Sequence, residues 1–289
     1  MRNFEMHQSV LDTDSTAISL LSQHCTDVSN KELKLALQRG AVWLTHGKST
    51  NRIRRAKKRL VPGDELHLYF DEAILFSEIN PAALVADQID YSLWNKPCGM
   101  YSQGTKWGDH SAICRWIELQ GFKENLLPER PAFLVHRLDR ATQGLIIVAH
   151  SKQATIKLTG LFANRNVRKH YLARVFGHFP EASLNETICE PIEGKQATTR
   201  ILEISYDAAL DQSMLKIQLE TGRKHQIRRH LAGLGFPIIG DRLYGDRIAC
   251  NSASLNSKIE MPDLQLQSCF LEFTCPFSHE LKSFELPAV

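Results

Sequence analysis

Short runs of alternating or continuous apolar residues, closed by glycine or proline, outnumber helical patterns along this chain, and that balance most restricts its fold. Leu66, Leu68 and Phe70 alternate after the turn Pro62-Gly63-Asp64, and Leu215, Ile217 and Leu219 alternate before Thr221-Gly222. Gly144 to Ala149 reads as a buried strand, Ala41 to Leu44 and Tyr171 to Phe176 as further strands, and Cys269-Phe270-Leu271-Glu272-Phe273 alternates again near the end. Tyr91 to Met100 is a short apolar segment broken by a Lys-Pro-Cys-Gly turn. Helical signals are intermittent. Ser29-Asn30-Lys31-Glu32 fits a capping box ahead of Leu33, Ala36 and Leu37, with Gly40 as the stop. Ser151 caps a helix running toward Phe162 with Ile156, Leu158 and Leu161 apolar. Ile227, Leu231 and Leu234 form the stripe of a helix ended by Gly235, with Arg223, Lys224, His225, Arg228 and Arg229 on its other faces. Such a mixture predicts an α+β class and disfavours a regularly alternating parallel sheet.

At 289 residues the chain exceeds one average domain. The predicted division is a small α+β module over 1–75, a connection over 76–90 carrying Pro81, and a larger domain over 91–289. The formal net charge of +3 does not by itself point to a polyanion, but its distribution does. Residues 48–59 hold Lys48, Arg52, Arg54, Arg55, Lys57, Lys58 and Arg59 without one acid, a pattern suited to phosphate backbones. Seven cysteines with no C-x-x-C pair fit neither a disulfide framework nor a zinc site, which predicts a reducing compartment. The first fourteen residues lack a signal-peptide core, and no stretch approaches a membrane span. A soluble cytoplasmic protein is expected, with no membrane association and no obligate protein partner.

The most chemically loaded segment is His136-Arg137-Leu138-Asp139-Arg140-Ala141-Thr142-Gln143-Gly144, directly before an apolar strand. One carboxylate stands among three cationic or potentially cationic side chains. Arginines nearby favour the ionised form of an acid, so Asp139 is a candidate nucleophile in a crevice.

Asn95-Lys96-Pro97-Cys98-Gly99, His136-Arg137-Leu138-Asp139, Lys169-His170-Tyr171, Thr221-Gly222-Arg223-Lys224-His225-Gln226-Ile227-Arg228 and the stretch from Gly235 to Gly245 together resemble, in that order, the RluA-type family of RNA pseudouridine synthases. Arg39-Gly40-Ala41-Val42 and Gly63-Asp64, in the basic module, resemble the S4 RNA-binding module, a common companion of that family. The resemblance implies a mixed, mostly antiparallel central sheet with flanking helices. It further implies isomerisation of a uridine within ribosomal or transfer RNA, with no cofactor and no metal. The absence of a phosphate-binding glycine loop or a grouped Cys/His set agrees with that expectation. By similarity, Asp139 is the catalytic carboxylate, Arg228 the arginine that pairs with it, and Tyr171 the active-site tyrosine. His136 and Arg137 are expected to line the RNA path or help extrude the base. Lys96, Arg140, Arg223, Lys224 and His225 are candidate RNA contacts, together with Arg54, Arg55, Lys57 and Lys58 of the small module.

Two places depart from the family's pattern: Thr142-Gln143-Gly144, where Thr-Ser-Gly is frequent, and Leu266-Gln267-Ser268, where Leu-His-Ala is frequent. The competing class is a non-catalytic RNA-binding protein of the same fold, which has no need to keep Asp139, Tyr171 and Arg228 together. A metal-dependent hydrolase built on His225 and His230 lacks an intervening acid and a third ligand.

Overall fold

The computed structural model describes residues 1–245 and 262–287, so Cys250 lies outside the described residues. Two compact units are present: Met1–Ile79 with Gln103–Leu119, and Asn80–Ser102 with Gln120–Val289.

In the first unit, β1 (Asn3–Ser9), α1 (Ala17–His24), α2 (Asn30–Gln38), β2 (Val42–His46), β3 (Ser49–Arg52), β4 (Glu65–Asp71) and α3 (Glu72–Leu75) are followed, after an excursion of the chain, by α4 (Ile113–Trp116). The four strands run antiparallel in the order β1-β4-β2-β3. Leu66, Leu68 and Phe70 of central β4 are fully buried against Leu33, Ala36 and Leu37 of α2, as their alternation and helical spacing require. The Ser29 capping box forms: its hydroxyl accepts from the Glu32 amide, and Glu32 accepts from the Ser29 amide.

Residues 103–119, read from sequence as part of the larger domain, are compact with this unit instead. Asp109 explains why. One carboxylate oxygen lies 2.5 Å from both Arg52 and Arg54, and the Trp43 indole donates to the Lys106 carbonyl at 3.0 Å.

The second unit holds β5 (Ala83–Asp87), β6 (Tyr91–Lys96), α5 (Phe122–Glu124), β7 (Phe133–Leu134), β8 (Gln143–Ala149), α6 (Lys152–Ala163), β9 (Arg168–Phe176), β10 (Thr187–Ile188), β11 (Thr199–Asp207), β12 (Gln212–Leu219), α7 (Gln226–Gly233), β13 (Leu266–Thr274) and β14 (Leu281–Glu285). Its sheet runs β10-β11-β12-β9-β13-β8-β6-β5, with β14 on β13 and β7 on β8. The β13–β8 pair is parallel and the others are antiparallel, so the α+β, mostly antiparallel architecture expected from the sequence is what the chain adopts. β5 occupies part of the stretch that the sequence presents as a connection; it pairs with β6 as a local hairpin, a strand that Pro81 and the small residues around it conceal.

Ser151 caps α6 by accepting from the Ala154 amide, but the buried face is Ala154 and Leu158, with Leu161 and Phe162 packed beside them. Leu158 and Leu161 therefore lie on the packed face as expected, whereas Ile156 points to solvent. On α7, Ile227 and Leu231 are buried as expected, whereas Leu234 is exposed and Arg228 is inside. Gly144 (φ +114°) opens β8 where a Cβ would come within 2.2 Å of the Ser268 carbonyl oxygen, so the backbones of β8 and β13 meet at a glycine. The two departures from the family pattern also meet there, since Gln267 stands opposite Gln143 and Ser268 opposite Gly144.

Candidate active site

The loop 136–142 is held from behind by the turn that leaves β6. The Lys96 ammonium donates to the carbonyls of Pro97 (3.1 Å), Met100 (2.9 Å) and Arg140 (3.3 Å). Gly99, in the left-handed conformation, donates its amide to the Arg140 carbonyl at 2.9 Å, and the Arg140 guanidinium returns a bond to the Gly99 carbonyl and lies over the Tyr101 ring. The Ser102 hydroxyl donates to the Leu138 carbonyl at 2.6 Å and accepts the Leu138 amide at 3.0 Å. Asp139 therefore sits on backbone fixed on both sides.

Lys96 is consequently not placed to meet a phosphate, which corrects its assignment as an RNA contact. It is fully buried, burial pulls its basicity down to about 8, and its work is to tie three carbonyls together. His136 is likewise a fastening element. Its Nε2 accepts the Ile147 amide at 3.0 Å, its ring stacks on Phe162 at 4.2 Å, and burial pushes its pKa to about 3, leaving a neutral imidazole. Arg137 is exposed on the loop, and Arg140 is exposed but engaged with Gly99 and Tyr101.

A second fixed loop supplies Arg228. Gln226 uses all its bonding capacity: its carbonyl accepts from Thr221 Oγ1 (2.8 Å) and the Arg223 amide (3.0 Å), and its amide donates to the Thr198 carbonyl (3.0 Å) and Thr199 Oγ1 (2.9 Å). This knot presents α7 with Arg228 facing inward. The guanidinium makes a two-pronged bond to Asp241, Nε to Oδ2 and Nη2 to Oδ1, both 2.7 Å, leaving Nη1 at 3.8 Å from Asp139 Oδ2. Asp241 is buried and also accepts the Leu243 and Tyr244 amides at 2.9 and 3.1 Å; burial opposes its charge, but Arg228 and these amides prevail and hold the carboxyl below its ordinary value. His225 Nε2 lies 3.8 Å from the other oxygen of Asp139, and its Nδ1 is 3.0 Å from the Tyr244 hydroxyl.

Tyr171 on β9 is buried, in register with Ile217 of β12 and Ser268 of β13. Burial, assisted by the charge of Asp139, raises its hydroxyl well above the usual tyrosine range. At neutral pH it is an intact phenol, suited to stacking and donating.

Among the remaining expected contacts, Lys224 is exposed, while Arg223 is half-buried and donates to the Gln196 carbonyl. In the first unit, Arg55, Lys57 and Lys58 are exposed, but Arg54 is held by Asp109 and the Gln38 carbonyl and is not presented to a ligand. His230 has both ring nitrogens engaged, by Thr199 Oγ1 and the Glu190 carbonyl, which removes it as a metal ligand. Asp139, Arg228 and His225 thus meet around one carboxylate, with Tyr171 close enough to feel its charge. Sequence reasoning assigned no role to Asp241, Tyr244, Ser102 or Gln226. The signal for the first two was available, an acid and an aromatic inside the glycine-bounded turn Gly240–Gly245.

A buried bidentate arginine aimed at a loop carboxylate, beside a protonated tyrosine on a mostly antiparallel sheet, makes this cluster the candidate active site of an α+β scaffold. Residues 90–233 match the family described as RNA pseudouridylate synthase. An uncharacterized RNA pseudouridine synthase of Chloroflexus aurantiacus is 32% identical over 285 residues, covering 90% of this chain and 82% of the relative. A ribosomal large subunit pseudouridine synthase D of Nitrosomonas europaea is 35% identical over 224 residues, covering 73% and 63%. The solved structure titled human RNA pseudouridylate synthase domain containing 1 shares the fold with a TM-score of 0.56 at 24% identity, over 73% of this chain and 85% of that one. The chain belongs to the RNA pseudouridylate synthase family and is an isomerase that modifies RNA. Among the described residues no helix is long and apolar enough to cross a membrane.

Proposed function

We propose that this protein converts uridine in large-subunit ribosomal RNA to pseudouridine in the cytoplasm, with Asp139 as the catalytic carboxylate. The reaction breaks the bond between ribose C1′ and uracil N1, joins C1′ to C5, and moves the C5 hydrogen so that N1 carries a proton. Nothing is gained or lost. The observation carrying this reading is the 3.8 Å approach of Arg228 Nη1 to Asp139 Oδ2, with the rest of the guanidinium locked on Asp241. A fixed positive group beside a loop carboxylate orients the acid without reorganising during the reaction. Tyr171, kept protonated, offers its ring to the extruded uracil and its hydroxyl as a donor. The choice of ribosomal RNA is supported by the printed name of the Nitrosomonas relative. The reducing compartment is supported by the six described cysteines, all free.

The small N-terminal unit we read as an S4-like RNA-holding module, with exposed Arg55, Lys57 and Lys58 as its phosphate contacts and Arg54 excluded by Asp109. In the second unit, exposed Arg137 and Lys224 are the side chains best presented to RNA.

The decisive experiment is Asp139→Asn, assayed by pseudouridine mapping of RNA from cells lacking or complemented with the gene. The parental gene restores a large-subunit pseudouridine and the variant does not. Parental levels with the variant refute the role of Asp139, and a missing modification confined to transfer RNA refutes the substrate.

A further inference from the structure

We infer that His225, held by Tyr244, is a second donor that aims the Asp139 carboxylate: a positioning residue for the isomerisation and not a phosphate contact. This rests on the reading of Asp139 as the catalytic acid.

The two oxygens of Asp139 face different partners. Oδ2 faces Arg228 Nη1 and Oδ1 faces His225 Nε2, each at 3.8 Å. That separation exceeds a hydrogen bond, as is common in a site without substrate, and closing it takes less than about 1 Å. The other imidazole nitrogen, Nδ1, is 3.0 Å from the Tyr244 hydroxyl, and the two rings meet edge to face at 5.7 Å. Burial lowers the basicity of His225, so the ring is neutral at pH 7 and carries one N–H. A carboxylate opposite Nε2 selects the tautomer with hydrogen there. The lone pair is then on Nδ1, where the Tyr244 hydroxyl donates to it. The chain Tyr244 O–H, His225 Nδ1, His225 Nε2–H, Asp139 Oδ1 has one proton for each contact and leaves no donor facing a donor.

The backbone supports this assignment. His225 has φ +55° at the residue preceding α7, in the left-handed region that side chains other than glycine disfavour. An imidazole whose only duty was to meet phosphates would be served as well by the neighbouring Lys224, which is exposed, whereas the His225 side chain is 16% exposed. The brace is also shared. Asp241 locks Arg228 while Tyr244, three residues on in the same turn, locks His225, and the Arg228 guanidinium lies 5.2 Å from the Tyr244 ring centre. One turn thus sets the direction of both groups that face the acid.

The test uses the full chain with a structured RNA bearing the target uridine, and measures the single-turnover rate together with RNA affinity across a salt titration. Tyr244→Phe removes one oxygen and keeps the ring over Arg228, so it tests the idea even if His225→Ala folds poorly. Both variants are expected to slow turnover by about tenfold with affinity and salt slope unchanged, and His225→Gln, whose amide retains an N–H, to recover much of the rate. Parental rates in Tyr244→Phe and His225→Ala overturn the inference. So does weakened binding with a shallower salt slope at unchanged rate, the mark of a phosphate contact. Asp139→Asn serves as the reference. If it retains the parental rate, the catalytic reading of Asp139 has failed; if it is inactive while the other two are unimpaired, only the positioning role of His225 falls.

Discussion

Asp241→Asn separates the structural duty of the Arg228 clamp from the catalytic one proposed for it. The acid and the guanidinium side chains are 0% and 5% exposed, and their two bonds are both 2.7 Å. Asparagine keeps an oxygen for Arg228 Nη2 and the amides of Leu243 and Tyr244, but its NH2 group turns a donor toward Arg228 Nε and removes the charge that the guanidinium holds at 2.7 Å. Uncovering one partner of a buried pair costs about 3–5 kcal/mol, and the retained oxygen places this variant near about 3 kcal/mol. Urea unfolding of the full chain is expected to show that loss, with turnover falling as Nη1 drifts from Asp139. The loss depends on pH with a definite sign. Because the folded Asp241 carboxyl lies below its ordinary 3.8, its contribution is fully present above the unfolded value and vanishes as pH falls through the folded one, so parent and variant converge in acid. Adding Arg228→Gln to Asp241→Asn removes the stranded charge; stability should partly return while activity does not. A single variant within about 1 kcal/mol of the parent, or a double variant no more stable than the single, refutes the argument.

Two further outcomes follow from the same geometry. Lys96 falls from 10.5 to about 8 on folding, chiefly through burial, so the unfolded chain binds more protons between those values; the parent should gain on the order of 3 kcal/mol relative to Lys96→Met from pH 8 to 10.5, and a constant difference across that range would sink the idea. Replacing Arg55, Lys57 and Lys58 by glutamine should weaken RNA binding and reduce the log–log salt slope by about 2–3, whereas Arg54→Gln should leave the slope alone because that guanidinium is already spent on Asp109; equal slopes for triple variant and parent would reject the anchoring loop.

The residues legible in the sequence were those whose role is announced by their immediate neighbours. Ser29 stands three residues before Glu32, and Leu66, Leu68 and Phe70 alternate, so local period suffices for both; Asp139 stands out among its neighbouring cations, but it takes the fold to bring Arg228 and His225 to 3.8 Å from it. Lys96 defeated that reasoning because a lysine is buried only when carbonyls converge on its ammonium, and one of those carbonyls belongs to Arg140, forty-four positions away. Arg54 defeated it for the same reason, its acid being fifty-five positions off in a segment that the sequence assigns elsewhere. Charge type told which residues could meet phosphate; only the fold decides which of them are already neutralised.

That distinction bears on how the site works. An arginine left to solvent would spend its directional bonds on water and on several rotamers, whereas Arg228 has two of its donors committed to Asp241 before substrate arrives and only the geometry of the third group left to act on Asp139. Lys96 and Ser102 impose the same discipline on the opposite wall, fixing the carbonyls of Arg140 and Leu138 on either side of the acid. In the second unit the buried ammonium of Lys96, guanidinium of Arg228 and carboxylate of Asp241 surround the Asp139 loop, where rigidity comes from groups that cannot relax without losing their partners. Stability spent at these positions therefore appears as orientation at Asp139, and a substitution that makes the clamp more comfortable while freeing its direction should yield a sturdier protein and a slower enzyme.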